Sequence, residues 1–470
     1  MKKGKKLITA TLITIIVLTA ILITNAVIAK DEFYVGVTYC GDSAAEAKAL
    51  IDKVKGYTNL FVLQSGTLLR NVDAINEIGN YAVNAGLHYI VYFGTDSAWV
   101  MKTWQNSYNG SWGNNFLGIY FGDEPGGKML DGSKTFYDQV SQSNIMKDRY
   151  GVRWEIDNET LATYRPDGTL TLTVSPLSSG DIANFYDVNY YLNGTVTITT
   201  YTPQKDPQNP NQTNLIPTIV TVKDHSTLNY TYKELYNSRP FQTIEETAQR
   251  FVNQTKSDLN NFGPHNGTYL TSDYGLYWYD YLGGYDTVLA QLGWNHSTVQ
   301  DVALVRGAAN MQGKDWGTII TWKYMQSPYL ASGDEIYDQM RTAYECGAKY
   351  VVIFNYAENM TGPYGTLKEE HFQTLERFWL DIVQNPLVGY GSVKAEAAFV
   401  LPKDCGWGLR NIDDTVWGLW APSEEYQRFW STLQDAIAKH GDRLDIVVDD
   451  PAYSASGKYS QLYYWNQTNP

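Results

Sequence analysis

The sequence predicts an α/β protein: a (β/α)8 barrel carrying a β-rich insertion after its fourth strand and a small C-terminal flavodoxin-like α/β domain. Three observations lead there. Eight short apolar strand-like runs alternate with helix-like stretches from Phe33 onward, the pattern of a closed parallel barrel. The alternation is interrupted once, over about 131–242, by strand and turn signals. A second, shorter alternation follows Pro386. A length of 470 residues also demands more than one core.

The barrel strands are read in order. Phe33–Thr38 is the first, followed by a helix with Ala47, Leu50, Ile51 and Val54 on one face. Asn59–Leu63 is the second, followed by a helix through Ile75, Ile78 and Ala82 that Gly86 ends. His88–Phe93 and Phe116–Phe121 are the third and fourth. Within the insertion, Asn193-Gly194 between Asn189–Leu192 and Thr195–Ile198 is a hairpin signal. Because the insertion leaves after the fourth strand, it is expected to stand over the C-terminal mouth and narrow the cleft.

Thr243-Ile-Glu-Glu246 is a capping box that restarts the barrel. Tyr269–Ser272, Thr287–Leu292, Gly317–Trp322 and Tyr350–Phe354 are strands five to eight. Ser332–Glu335 and Thr366–Glu369 are further capping boxes. An open doubly wound sheet would want a Gly-rich phosphate turn after the first strand, and Tyr39-Cys-Gly-Asp42 lacks one. In the last unit Ala397–Leu401, Leu444–Val448 and Leu462–Trp465 are strands, with a helix over Glu424–Lys439. The divisions are therefore 1–29, 30–390 interrupted at about 131–242, and 391–470.

The net charge is −14 and the pI about 4.9, so the basic footprint of a nucleic-acid binder is missing. The one basic cluster, Lys2, Lys3, Lys5 and Lys6, precedes an apolar run over 7–29. That run reads as an export signal, either cleaved near Val27-Ile-Ala29 or kept as a membrane anchor. Ten N-x-S/T sequons agree with an exported or cell-surface glycoprotein. Three cysteines make no disulfide framework. Cys40 and Cys346 are placed at opposite barrel ends, too far apart to bond. No metal-ligand spacing occurs, no cofactor motif stands out, and Arg306-Gly307 through Lys314 has the wrong spacing for a phosphate loop.

In a parallel barrel the site lies at the C-terminal ends of the strands. The polar residues there are Asp42, Asp96, Asp123, Glu124, Asp273, Asp280, Lys323, Tyr324, Asn355, Tyr356 and Glu358. Phe116-Leu-Gly-Ile-Tyr-Phe-Gly-Asp-Glu-Pro125 delivers two carboxylates from one apolar strand. Glycosidases use paired carboxyls, one protonated and one ionised. Tyr274, Trp278 and Trp322 suit a sugar-binding floor, since an aromatic face packs on pyranose C–H groups. Aromatic residues make up 14 % of the chain, which fits that use.

The strand followed by Asp123-Glu124-Pro125 resembles the arrangement in retaining barrel glycosidases, whose Asn-Glu-Pro carries the acid/base Glu. The layout of TIM barrel plus small flavodoxin-like domain is similar to that of family-42 β-galactosidases. The resemblance implies Glu124 as general acid/base, with Asp123 orienting it or binding a hydroxyl. It departs after the seventh strand, where those enzymes carry a nucleophilic Glu and this chain has Thr321-Trp322-Lys323-Tyr324. The second carboxylate then comes from another strand, Asp273 first and Glu358 in reserve. The expected function is an extracellular glycoside hydrolase acting on polysaccharide. The alternative is a non-catalytic glycan-binding surface glycoprotein, with carbohydrate as the partner in both.

Overall fold

The computed structural model describes residues 33–94, 97–107, 110–131, 152–157, 159–165, 167–174, 186–205, 213–238, 243–261, 268–357 and 362–467. The apolar run over 7–29, Asp96 and Glu358 lie outside them.

Eight parallel strands close a barrel: β1 (Tyr34–Tyr39), β2 (Leu60–Leu63), β3 (His88–Phe93), β4 (Phe116–Phe121), β11 (Thr268–Asp273), β12 (Thr287–Leu292), β13 (Asp315–Ile320) and β14 (Tyr350–Ile353). The helices between them are α1 (Ala44–Val54), α2 (Val72–Asn84), α3 (Ala98–Ser107), α4 (Pro125–Leu130), α6 (Ile244–Asn261), α7 (Tyr277–Gly283), α8 (Thr298–Gln312) and α9 (Gly333–Glu345), with α10 (Glu369–Phe378) after β14. Side chains alternate between the two faces of each strand. One set, including Leu60, Val62, Ile90, Tyr120, Leu270, Leu289, Ile319 and Val352, forms its own cluster and fills the barrel interior. The other set, including Val35, Phe61, Val91, Phe121, Val288, Ile320 and Val351, packs under the helices.

Local signals explain most helix starts. Ser43, Asn71, Ser297 and Ser332 each accept a backbone N–H in the first turn of the following helix. Thr243 and Glu246 bond reciprocally, as a capping box does. Thr366 differs from expectation: its N–H goes to Asn355 Oδ1 and the helix starts later, with Lys368 as its N-cap residue.

The insertion forms a six-stranded antiparallel sheet of β5 (Val152–Asp157), β6 (Thr160–Tyr164), β7 (Leu170–Val174), β8 (Tyr186–Tyr190), β9 (Val196–Lys205) and β10 (Thr213–Thr221), paired in sequence order and followed by the short helix α5 (Tyr232–Ser238). The Asn193-Gly194 signal falls in the β8–β9 turn, where Gly194 takes a φ of 84°. The C-terminal unit is a parallel sheet ordered β16-β15-β17, of β15 (Ala397–Leu401), β16 (Leu444–Val448) and β17 (Gln461–Tyr464), with α11 (Glu424–His440) linking the first two. It packs directly on the barrel. A Cβ at Gly307 of α8 would lie 2.5 Å from the Ile446 carbonyl oxygen, and Arg306 of the same helix forms a buried ion pair with Asp445 at 2.7 Å. Cys40, Cys346 and Cys405 are all free thiols.

Candidate active site

β4 ends at Phe121, and the chain then turns sharply through Gly122 (φ 64°) and Glu124 (φ 56°). A left-handed conformation at a residue with a Cβ costs roughly 1–2 kcal/mol. The neighbours that hold it are on β11 and α4. The Glu124 N–H donates to the Ser272 carbonyl at 2.9 Å, and the Lys128 N–H donates to the Glu124 carbonyl at 2.8 Å.

Glu124 is the N-cap residue of α4, yet its side chain makes no cap bond. The capping is supplied from another strand. Asp273 accepts the N–H groups of Gly126 at 2.5 Å and Gly127 at 2.7 Å, the first donors of α4 after Pro125, which has none. The Glu124 carboxyl is therefore left for the barrel mouth. There it accepts from Gln291 Nε2 at 2.8 Å, and the same amide donates to Ser272 Oγ at 3.0 Å. Ser272 Oγ in turn donates to Asp123 Oδ1 at 3.0 Å, and the Tyr120 hydroxyl also donates to Asp123 Oδ1. Burial, then the Asp123 charge, push the Glu124 carboxyl up to about 7, against the opposing pull of the Gln291 bond.

These groups form one side of a cavity of about 220 Å³ at the C-terminal ends of the strands. Gln64 after β2, Gln291 on β12 and Thr321 after β13 supply further polar wall. Gln64 Oε1 and Thr321 Oγ1 are buried with no hydrogen-bond partner. The remaining wall is mostly aromatic, with Trp294, Trp322, Phe354 and Tyr356 beside Ile319. Trp322 is fixed by stacking on Tyr356 at 5.8 Å with planes 4° apart, and by donating Nε1 to the Tyr356 carbonyl at 2.8 Å. Such a cavity pairs an apolar face with convergent polar groups, which is how small-molecule sites are built.

Of the residues singled out in the sequence, Asp123, Glu124, Trp322 and Tyr356 meet here. Several others do not. Asp273 was expected across the cleft, but it lies behind the strand wall and is wholly buried. Strand parity is the reason: Leu270 faces the barrel interior and Ser272 the cavity, so Asp273 points to the helix layer. Asp280 of α7 is buried beside it, and the Asp273 charge adds to burial in raising the Asp280 carboxyl. Burial raises both carboxyls, and the amide bonds on Asp273 oppose the shift there. Asp280 has no amide bonds to hold it charged, so burial and the Asp273 charge favour its neutral form.

The expected floor residues after the fifth barrel strand are also placed elsewhere. Trp278 is buried in α7 with its ring edge-on to Tyr453 of the C-terminal unit at 5.9 Å. The Tyr274 hydroxyl donates to Asp131 at 2.6 Å, and its ring would collide with a Cβ at Gly127. Lys323 pairs with Glu335 at 2.6 Å, and Tyr324 is exposed beside it. Asn355 is buried, bracing the chain at Thr366. Asp42 is exposed in the turn before α1 and does not line the cavity. Among the described residues, no part of the insertion lines it either.

Gln64, Ser272, Gln291, Trp294 and Phe354 were not singled out. A signal existed for the glutamines, each a polar residue at the end of an apolar run: Leu60-Phe-Val-Leu-Gln64 and Val288-Leu-Ala-Gln291. Among the described residues no cluster of His, Cys, Asp and Glu is arranged to hold a metal ion.

Fold and site thus define a (β/α)8-barrel protein with an acidic, aromatic-walled cleft at the C-terminal ends of the barrel strands. No family model and no curated protein sequence matches the chain. Among solved structures it is similar to a glycoside hydrolase family 5 enzyme from Prevotella bryantii in complex with a xyloglucan tetradecasaccharide, at TM-score 0.29 and 9 % identity over 73 % of this chain and 96 % of that one. It is also similar to pyruvate kinase from Pyrobaculum aerophilum, at TM-score 0.28 and 12 % identity over 90 % of this chain and 98 % of that one. The two have different chemistries, so neither likeness assigns an activity.

Proposed function

We propose that this protein is a glycoside hydrolase in which Glu124 is the general acid/base. The observation that carries the reading is the state of Glu124. It is a carboxyl pushed up to about 7 by burial and by Asp123, in a cavity that it shares with Trp294, Trp322 and Tyr356. A carboxylic acid still protonated near neutral pH can protonate a glycosidic oxygen as the bond breaks. The aromatic faces suit the C–H faces of a pyranose, and Gln64 and Thr321 add polar wall beside them. Gln291 and Ser272 hold the two carboxyls in place.

Membership of family 42 forms no part of this reading, because Thr321 and Trp322 stand where that family has its nucleophile. The same feature favours a second reading, a glycan-binding surface protein without turnover. Export is part of both readings and rests on the lysines before the apolar run and on the sequons. Fractionation of native cells should find the chain outside the cytoplasm. The decisive assay is turnover of aryl and natural glycosides by wild type and Glu124→Gln. General-acid loss lowers turnover about 10²–10⁴-fold on a poor leaving group, with affinity retained. Equal rates for the two proteins would remove Glu124 from the role. Tight glycan binding with no turnover by wild type would establish the second reading.

A further inference from the structure

The two carboxyls of the cleft are consecutive residues on one loop. In the ordinary arrangement two carboxyls flank the scissile bond, about 5–5.5 Å apart when one is a nucleophile and roughly 6.5–9.5 Å apart when it activates water. One attacks the anomeric carbon from the face opposite the leaving group. Asp123 and Glu124 both enter from the β4 side. Away from β4 the lining includes Gln64, Thr321, Trp322 and Tyr356, and apart from Asp123 and Glu124 no carboxylate lines the cavity among the described residues. The end of β13, where a protein nucleophile would face Glu124, is filled by the Trp322 ring held against Tyr356.

Asp123 is built for a different task. Its Oδ1 is held by the Tyr120 hydroxyl and by Ser272 Oγ, both anchored in the strand wall. One oxygen is thus fixed, and Oδ2 is the acceptor that a ligand N–H can use. An anchored carboxylate beside the acid, with apolar ring faces close by, matches a substituent that has an N–H, an oxygen nucleophile and a methyl group. An acetamido group on the sugar carbon next to the anomeric centre has all three.

We infer, on the reading of Glu124 as the acid, that the substrate is a glycoside of a 2-acetamido-2-deoxyhexose and that its acetamido oxygen is the nucleophile. In the first step that oxygen forms a bond to the anomeric carbon. The bond from this carbon to the aglycone oxygen breaks, and Glu124 transfers its proton to the departing oxygen. The resulting oxazolinium N–H lies against Asp123, whose negative charge balances it. In the second step water attacks the anomeric carbon and gives a proton to the Glu124 carboxylate. The ring C–O bond opens and the acetamido group is restored. One water is consumed, Glu124 regains its proton, and configuration is retained.

The test uses the full chain and paired fluorogenic glycosides of glucose and galactose carrying either 2-acetamido or 2-hydroxyl groups. The acetamido members should turn over at least about 10²-fold faster. Replacing acetyl by mono-, di- and trifluoroacetyl weakens the nucleophile, so kcat should fall steeply along the series. Asp123→Asn should cost about 10²-fold or more on the acetamido substrate and should weaken binding of a sugar-fused thiazoline, a stable mimic of the cyclic intermediate, measured by calorimetry. A flat response to fluorination, or faster hydrolysis of the 2-hydroxyl glycosides, would overturn the inference while leaving Glu124 as acid. If neither glycoside class turns over and the thiazoline does not bind, both the inference and the hydrolase reading fall.

Discussion

Glu124 sits in a left-handed backbone conformation, and its position follows from what other residues take over. Asp273 caps α4 in its place, Gln291 holds its carboxyl, and Asp123 adds a like charge beside it. The titration of Glu124 should respond to each neighbour with a definite sign. Removing the Gln291 bond, which favours the charged form, should move the basic limb of the kcat/KM profile upward in Gln291→Leu. Removing the Asp123 charge should move the same limb downward in Asp123→Asn, along with its loss of rate. Profiles that shift together, or not at all, would show that another group governs the limb.

The loop from Gly122 through α4 is the element on which the site depends. Its amides are tied to Asp273, and the C-terminal unit covers its other side. Thr415 Oγ1 donates to the Leu130 carbonyl at 3.1 Å, and Arg410 pairs with Asp131 at 2.6 Å. Gly418, at φ 66°, lies so close that a Cβ would stand 2.1 Å from the Met129 carbonyl oxygen. Asp280 is buried beside Asp273, where burial and the Asp273 charge favour its neutral form. An amide is neutral and of nearly the same shape, so Asp280→Asn should change stability by no more than about 1 kcal/mol. Asp273→Ala leaves buried amide donors unpaired and should cost roughly 2–4 kcal/mol and lower kcat with it. Urea unfolding and steady-state kinetics on the same variants check both. Equal losses for the two variants would mean that Asp280 is needed as a charged group and not as a neutral one.

The raised carboxyl at Glu124 also affects stability of the whole chain. Its pKa rises from 4.5 to about 7 on folding, so the folded state binds the proton more tightly. The stability this carries is present below about pH 4.5 and is lost as pH rises through 7, up to about 3 kcal/mol in all. Glu124→Gln should therefore raise Tm at pH 8 and leave it nearly unchanged at pH 4.5; a variant equally stabilised at both would contradict the sign. Barrel and C-terminal unit share a core. Trp417 packs on Phe251 at 5.6 Å and on Tyr279 at 4.7 Å, and Arg306 is buried against Asp445. Deleting residues 391–470 should then yield an insoluble or unfolded barrel. A monomeric truncated chain with native circular dichroism and unchanged Tm would show that the units are independent.

The amino-acid sequence by itself determined the barrel, because each element carries its own local signal. Apolar runs of strand length, Ser and Asn caps, and glycines at turns act over a few residues and read directly as β1–β4 and β11–β14. The pair Asp123-Glu124 was legible for the same reason: it follows the C-terminal end of an apolar barrel strand. Only the tertiary structure decided which other polar residues reach the cleft. Parity along β11 sends Ser272 to the cavity and Asp273 to the helix layer, a difference of one residue that composition and motif do not encode. Trp278 looked like a sugar platform and became core because α7 lies beneath the C-terminal unit, whose position no residue of α7 announces. Gln64 and Gln291 lie far apart in the chain and acquire their role only when the closed barrel brings β2 and β12 to the same mouth.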